Sequence, residues 1–258
     1  MKSTPNARKK DIAMQNEGIL YQVSLLQGLT HGDYNGSVTI RELKQNGNTG
    51  IGTFDRLNGE LILLDGVVYR AMGDGCVEIA SEDETTPFAV ATYIDAYATR
   101  DRKELREIPD CAALEYLLNT WVEENGRNCF HMIRIDGSFR SMNVRSVPAQ
   151  KEPYQRLVDV LEKQQTFFDY ENIEGTIVGL YCPPYMSSLN AVGWHMHFIS
   201  SDKSKGGHVL GLHIADASLS AANIRSFHLR LPKSEEFNRF DLTLDQSKDI
   251  EKIEKNAN

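Results

Sequence analysis

The 258-residue chain is 41% hydrophobic and 25% charged, long enough to bury a core, and its formal net charge of -8 argues against nucleic-acid binding, which needs a cationic footprint. No apolar stretch approaches the roughly 20 residues of a membrane-spanning helix, and the N-terminal MKSTPNARKKDIAMQ carries positive charge with no apolar run behind it, so neither a membrane span nor a secretory signal is expected. The cysteines at 76, 111, 129 and 182 form no CxxC pair and suit the reduced, mostly buried thiols of a cytoplasmic protein.

Residues 1–14 read as a disordered tail. TIRELKQNG places Thr39 and Glu42 at capping-box spacing and stops at Asn46-Gly47, which predicts a short helix. GIGTF, ELILL, VVYRAM and CVEIA follow as short antiparallel strands separated by turns at Asn58-Gly59, Asp65-Gly66 and Gly73 to Gly75; TPFAVATYI adds another. Between 110 and 126 the period changes: Leu114, Leu117, Leu118, Trp121 and Val122 repeat at i, i+3, i+4, i+7 and i+8 and mark an amphipathic helix ended by Gly126. CFHMIRIDGSFRSMNVRSV predicts a hairpin about Asp136-Gly137, and a helix is expected over 154–164 with Leu157, Val158 and Leu161 inward. GTIVGLYC, GWHMHFIS, HVLGLHI and SFHLRLP read as further strands, and a short helix near Ile250 and Ile253 closes the chain. The class is α+β with mixed or antiparallel β-sheets and few helices. Pro148 to Pro153 is the candidate seam between an N-terminal β-rich half, 15–150, and a C-terminal half, 151–258.

The chemistry concentrates in GWHMHFISSDKSKGGH, residues 193–208. Strand alternation sends Trp194, Met196 and Phe198 to one face and His195 and His197 to the other. A hairpin centred on Asp202-Lys203 sets His197 directly opposite His208; a bulge at Gly206-Gly207 is the other register. Three neutral imidazoles at one point suit Zn²⁺, Mn²⁺, Fe²⁺ or Cu²⁺, and three protein ligands leave coordination positions open, which is a catalytic pattern. Spacing alone does not separate a hydrolase, a hydratase, a cupin-type oxygenase and a decarboxylase. On the residues alone Arg145 reads as a surface charge and Glu60 as a solvated carboxylate. His31, His131, His213 and His228 have no close partner in sequence, and His213 should face away from the cluster.

The chain resembles the α-acetolactate decarboxylases. The resemblance lies in LYQVSLLQGLTHGDYNGSVTI (20–40), GIGTFDRLNGELI (50–62), TPFAV (86–90), RIDGSFRSMNVRSVP (134–148), GWHMHFISSDKSKGGHVL (193–210) and a C-terminal IEKIE, in family order over nearly the whole chain. It implies a fold of two related halves, a homodimer, and conversion of 2-acetolactate to acetoin and CO₂ with one Zn²⁺ held by His195, His197 and His208. It further implies that Glu60, Arg145 and Glu254 surround the metal, with Glu251 the weaker candidate and the C-terminal tail folding back to the site. In that reaction the metal grips the ketone and hydroxyl oxygens of the substrate and stabilises the enediolate left by CO₂. Arg145 would hold the carboxylate or oxyanion, and Glu60 would supply the proton. No nucleic-acid, membrane or organic-cofactor partner is implied. Two other readings remain: another open-site three-histidine metal enzyme such as a cupin-type oxygenase, and a binding module that keeps the fold without catalysis.

Overall fold

The computed structural model describes residues 18–94, 102–243, 246, 249–250 and 252–253. In chain order the described elements are β1 (Gly18–Val23), α1 (Leu26–Thr30), β2 (Val38–Thr39), α2 (Ile40–Lys44), β3 (Thr49–Thr53), β4 (Glu60–Leu64), β5 (Val67–Ala71), β6 (Val77–Ile79), β7 (Thr85–Thr86) and β8 (Ala89–Thr92). They continue with β9 (Lys103–Ile108), α3 (Cys111–Asn125), β10 (Phe130–Ser146), α4 (Leu157–Gln164), β11 (Thr166–Cys182), β12 (Gly193–Ser200), β13 (Gly206–Arg230) and α5 (Glu235–Arg239).

Local signals set the early elements. The Thr39 hydroxyl accepts the Glu42 N–H at 3.2 Å and starts α2. Asp65 and Gly66 both take positive φ, as a tight hairpin between β4 and β5 requires. Asp110 caps α3 by accepting the Ala113 N–H at 2.8 Å, Gly126 ends it at φ 121°, and Leu114, Leu118 and Val122 are its buried stripe.

The eleven-stranded sheet is antiparallel except where β1 runs parallel to β13, which agrees with a mixed sheet and few helices. From β1 it passes through β8, β3, β4, β5 and β6 as a meander. From β13 it enters a ring, because β10, β11, β12 and β13 each pair with two of the others. One side of the ring packs on α3 through Ile133, Ile135, Phe139, Met196, Phe198 and Ile214. The other side, with Met132, Val178, Leu180 and Ile199, closes on Ile62 and Leu64 of the meander. α2 covers the far face of the meander. α1 and α4 pack with Leu57, Phe88, Val147, Ile250 and Ile253 in a smaller core at one end of the seam between ring and meander.

Two strands run on where the sequence predicts a break. Asp136-Gly137 is not a hairpin turn but the middle of the 17-residue strand β10. Asp136 accepts two bonds from Arg134 Nε, the shorter 2.7 Å, and one from Thr176 Oγ1 at 2.8 Å, so the side chain that often makes a turn is satisfied inside the sheet. At Gly137 a Cβ would lie 2.3 Å from the Asp216 carbonyl; the glycine serves strand contact rather than chain reversal. Likewise HVLGLHI and SFHLRLP are one 25-residue strand, β13. All four cysteines are free, but Cys76 is exposed. Asp249, Ile250, Lys252 and Ile253 are helical, as expected near the C-terminus. The tail over residues 1–14 lies outside the described residues.

Asp33, just after α1, is buried, and that burial, followed by the charge of Glu236 on α5, raises its pKa from 3.8 to about 6. A carboxyl whose folded pKa is raised contributes stability in full below its unfolded pKa and loses it as pH rises through about 6. Asp33→Asn should therefore raise the unfolding free energy at neutral pH by about 1–2 kcal/mol and flatten its slope between about pH 4 and 6. Denaturant titrations across that range check it, and parallel curves for the two proteins would contradict it.

Candidate metal centre

β12 alternates as its sequence dictates. Met196 and Phe198 enter the α3 core with Trp194 against it, while His195 and His197 face the meander. The hairpin register holds: His197 pairs with His208, Phe198 with Gly207 and Ile199 with Gly206, and Ser200 donates its N–H to Lys205 O at 2.9 Å. There is no bulge at Gly206-Gly207. The ring then adds a residue from far along the chain. Following paired residues from Arg134 on β10 through Val178, His197 and His208 leads back to β10 at Arg145, eleven positions beyond the start. Gly207 permits this approach: its φ is 151°, and a Cβ there would lie 2.7 Å from the Arg145 carbonyl oxygen and 2.9 Å from Val144 Cγ2. Gly207→Ala should destabilise the fold by more than about 2 kcal/mol. Thermal unfolding checks it, and an unchanged midpoint would refute the crowding.

The three imidazoles are buried and meet through one nitrogen each. Nε2 of His195 lies 3.0 Å from Nε2 of His197 and 3.1 Å from Nδ1 of His208, and all three atoms fall within 4.8 Å of one another. His197 donates its Nδ1–H to the Leu61 carbonyl at 2.9 Å, which leaves Nε2 as a lone pair turned inward. Burial first, then the Arg145 charge, lowers the His195 pKa to about 3; burial, then His195, holds His197 well below the usual histidine range. The His195 and His197 rings are therefore neutral at physiological pH. With the His197 lone pair turned inward, three ring nitrogens converge on one point, the arrangement in which a central cation can be shared among them. Nitrogens bound to zinc at about 2.0–2.1 Å in a tetrahedron stand about 3.3–3.4 Å apart, so the cluster fits a zinc-sized ion. The Leu61 carbonyl fixes the His197 tautomer, as an outer hydrogen-bond partner does for a metal-binding histidine.

Glu60 opens β4 beside this cluster. It is buried, with Oε2 3.5 Å from His197 Nε2. The preceding loop is strained: Arg56 and Leu57 both take positive φ, near 60° and 56°. Bonds from Gln150 N to Arg56 O (2.7 Å), Arg56 N to Tyr34 O (2.7 Å) and Gly59 N to Val147 O (3.1 Å) hold that conformation. Such strain, of order 1–3 kcal/mol per residue, persists only where surroundings impose it. Its result is to set Leu57 and Glu60 against one cavity.

Arg145 is buried, not a surface charge. Its Nη2 donates to the Ile253 carbonyl at 2.8 Å and Nη1 reaches Gln165 Oε1 at 3.5 Å. The same C-terminal stretch is anchored by ion pairs of Asp249 with Arg156 and Lys252 with Glu162, and by Gln246 against His31. A cavity of about 50 Å³ lies between these parts. It is lined by Glu60, Arg145, His195, His208 and Thr53 and by the apolar residues Leu26, Leu29, Leu157, Leu161, Phe88 and Ile253, which pack together in one core.

The structure thus gathers His195, His197, His208, Glu60 and Arg145 at one place. Glu251 and Glu254 lie outside the described residues. His213 faces Glu107 at 3.5 Å, His131 bonds Gly126 O, His31 bonds Gln27 O and His228 stacks edge-on with Tyr21, all away from the cluster. Sequence reasoning missed the Leu61 carbonyl and Gln165. No side-chain signal marks a backbone carbonyl, and Gln165 ends a helix whose apolar face had the only readable pattern.

Comparison with known proteins agrees with this architecture. A family model described as Alpha-acetolactate decarboxylase matches residues 20–244. The alpha-acetolactate decarboxylase of Methanosarcina mazei is 38% identical over 247 residues, covering 95% of this chain and 83% of that one; the Bacillus subtilis enzyme of the same name is 35% identical over 240 residues, covering 91% and 90%. The crystal structure of alpha-acetolactate decarboxylase from Bacillus subtilis strain 168 superposes with a TM-score of 0.86 at 33% identity, covering 92% of this chain and 99% of that one.

Proposed function

This chain belongs to the alpha-acetolactate decarboxylase family and is a carboxy-lyase, and from that premise we propose that it decarboxylates 2-acetolactate to acetoin at a zinc ion held by His195, His197 and His208. The observation that carries this reading is the convergence of three buried imidazole rings beside a buried guanidinium and a buried carboxylate. When bound, the ion supplies Lewis-acidic charge for the electrons that departing CO₂ leaves behind. The residues do the rest. Arg145, anchored by Nη2 on Ile253 and lining the cavity, brings its guanidinium charge to the substrate carboxylate and then to the oxygen that gains charge. The Glu60 carboxyl delivers a proton to the carbon that has lost CO₂, which balances the reaction. Leu57, Phe88 and the leucines of α1 and α4 exclude water from the cavity while that carbon is basic.

Glu254, next to the cavity-lining Ile253 in sequence, is assigned beside the metal on the family resemblance. Removing residues 251–258 should lower turnover by about 100-fold or more. The deletion also takes away the Ile253 carbonyl, so Glu254→Gln isolates the carboxylate; normal turnover by that variant would take Glu254 out of the mechanism.

The test of the whole reading is release of CO₂ and acetoin from 2-acetolactate by purified protein, before and after chelation. Turnover should disappear with the metal and return with zinc. Turnover that survives complete chelation would overturn the metal reading, and activity that consumes O₂ and needs iron or copper would point to an oxygenase.

A further inference from the structure

Resting on the decarboxylase reading above, we propose that the aliphatic wall formed by α1 and α4 limits the size of the alkyl substituents a substrate can carry. The cavity is chemically two-sided. Its hydrogen-bonding groups come from β3, β4, β10, β12 and β13, and Thr53 Oγ1 is already committed to the Gly59 carbonyl at 2.8 Å. Among the described residues, the lining from the helical elements is hydrocarbon side chain: Leu26 and Leu29 from α1, Leu157 and Leu161 from α4, with Phe88 and Ile253, all buried. A 2-hydroxy-3-oxo acid that gives its oxygens to the polar edge must turn its alkyl groups to this wall.

Size then decides. The cavity is small, about 50 Å³, so every alkyl carbon a substrate adds competes for the space beside the leucines. The leucines belong to a core whose other members, Val158, Val160, Ala191 and Ile250, are equally buried, so the wall has nowhere to retreat. Each added methylene should therefore meet resistance. Leu26 and Leu157 begin their helices, and substitution there also disturbs the helix start. Leu29 and Leu161 lie one turn further on and are the cleaner probes.

The experiment compares 2-hydroxy-3-oxo acids bearing methyl or propyl on the tertiary carbon. Two quantities are read in wild type, Leu29→Ala and Leu161→Ala: the ratio of kcat/KM, and the ratio of calorimetric Kd values for unreactive 2,3-dihydroxy acids with the same substituents. Wild type should disfavour propyl by about 100-fold or more, and each alanine variant should narrow both ratios by about 10-fold. Leu29→Val and Leu161→Val, gentler on the fold, should narrow them by about 3-fold. Absence of discrimination in wild type, or variants that weaken both acids equally, overturns the filter while leaving the decarboxylase reading intact. No turnover of the methyl acid by wild type overturns the decarboxylase reading instead, and the calorimetric ratios still decide the wall.

Discussion

His195→Ala is expected to lose both the bound metal and the activity. The His195 ring is the hub of the cluster: its Nε2 lies within 3.1 Å of both other inward nitrogens, whereas His197 and His208 meet chiefly through it. Removing it leaves two imidazoles on adjacent strands, one still tied to Leu61, around a void that water can enter. Two ligands hold zinc far more weakly than three, so metal content should fall from about one to less than about 0.1 per chain after dialysis, and kcat should drop by at least about 1,000-fold. The fold should survive, because the ring core of Met196 and Phe198 lies on the opposite face of β12. Retention of a full metal equivalent by a folded His195→Ala protein would remove His195 from the ligand set.

Arg145→Lys separates charge from geometry. Arg145 uses Nη2 on the Ile253 carbonyl and Nη1 toward Gln165 while its guanidinium lines the cavity, so one planar group both anchors the C-terminal stretch and faces the reaction space. An ammonium is a single point and cannot serve the carbonyl and a carboxylate together. The variant should bind zinc normally and lose about 100-fold to 1,000-fold in kcat, the scale of removing one well-placed oxyanion donor. Near-normal kcat in Arg145→Lys would show that the planar fork is dispensable.

How much of this was legible in the sequence follows from the range of each interaction. Alternation along GWHMHF and the length of its loop fix the faces of His195 and His197 and their pairing with His208, because hairpin register is local. Arg145 is different. Ile133, Ile135 and Phe139 face the α3 core, but so do Met142 and Val144, so β10 changes parity near Arg140, where its pairing with β13 is interrupted. That irregularity turns Arg145 toward the histidines, and no dipeptide announces it. Nor does any local signal show that β10 to β13 close into a ring, which is what buries Arg145 and seals Glu60 against β12. The family resemblance named both residues, while their own surroundings in sequence suggested solvent. Asp136-Gly137 failed in the opposite sense: a strong turn signal was outweighed by the Arg134 guanidinium and the contact across Gly137.

The most direct test of the metal reading is X-ray absorption at the zinc edge of purified protein, with metal content measured on the same sample. About one zinc per chain is expected, in a first shell of three imidazole nitrogens at about 2.0–2.1 Å, completed by oxygen. A preparation that converts acetolactate at full rate without any divalent metal, or a zinc shell containing sulfur, would contradict it.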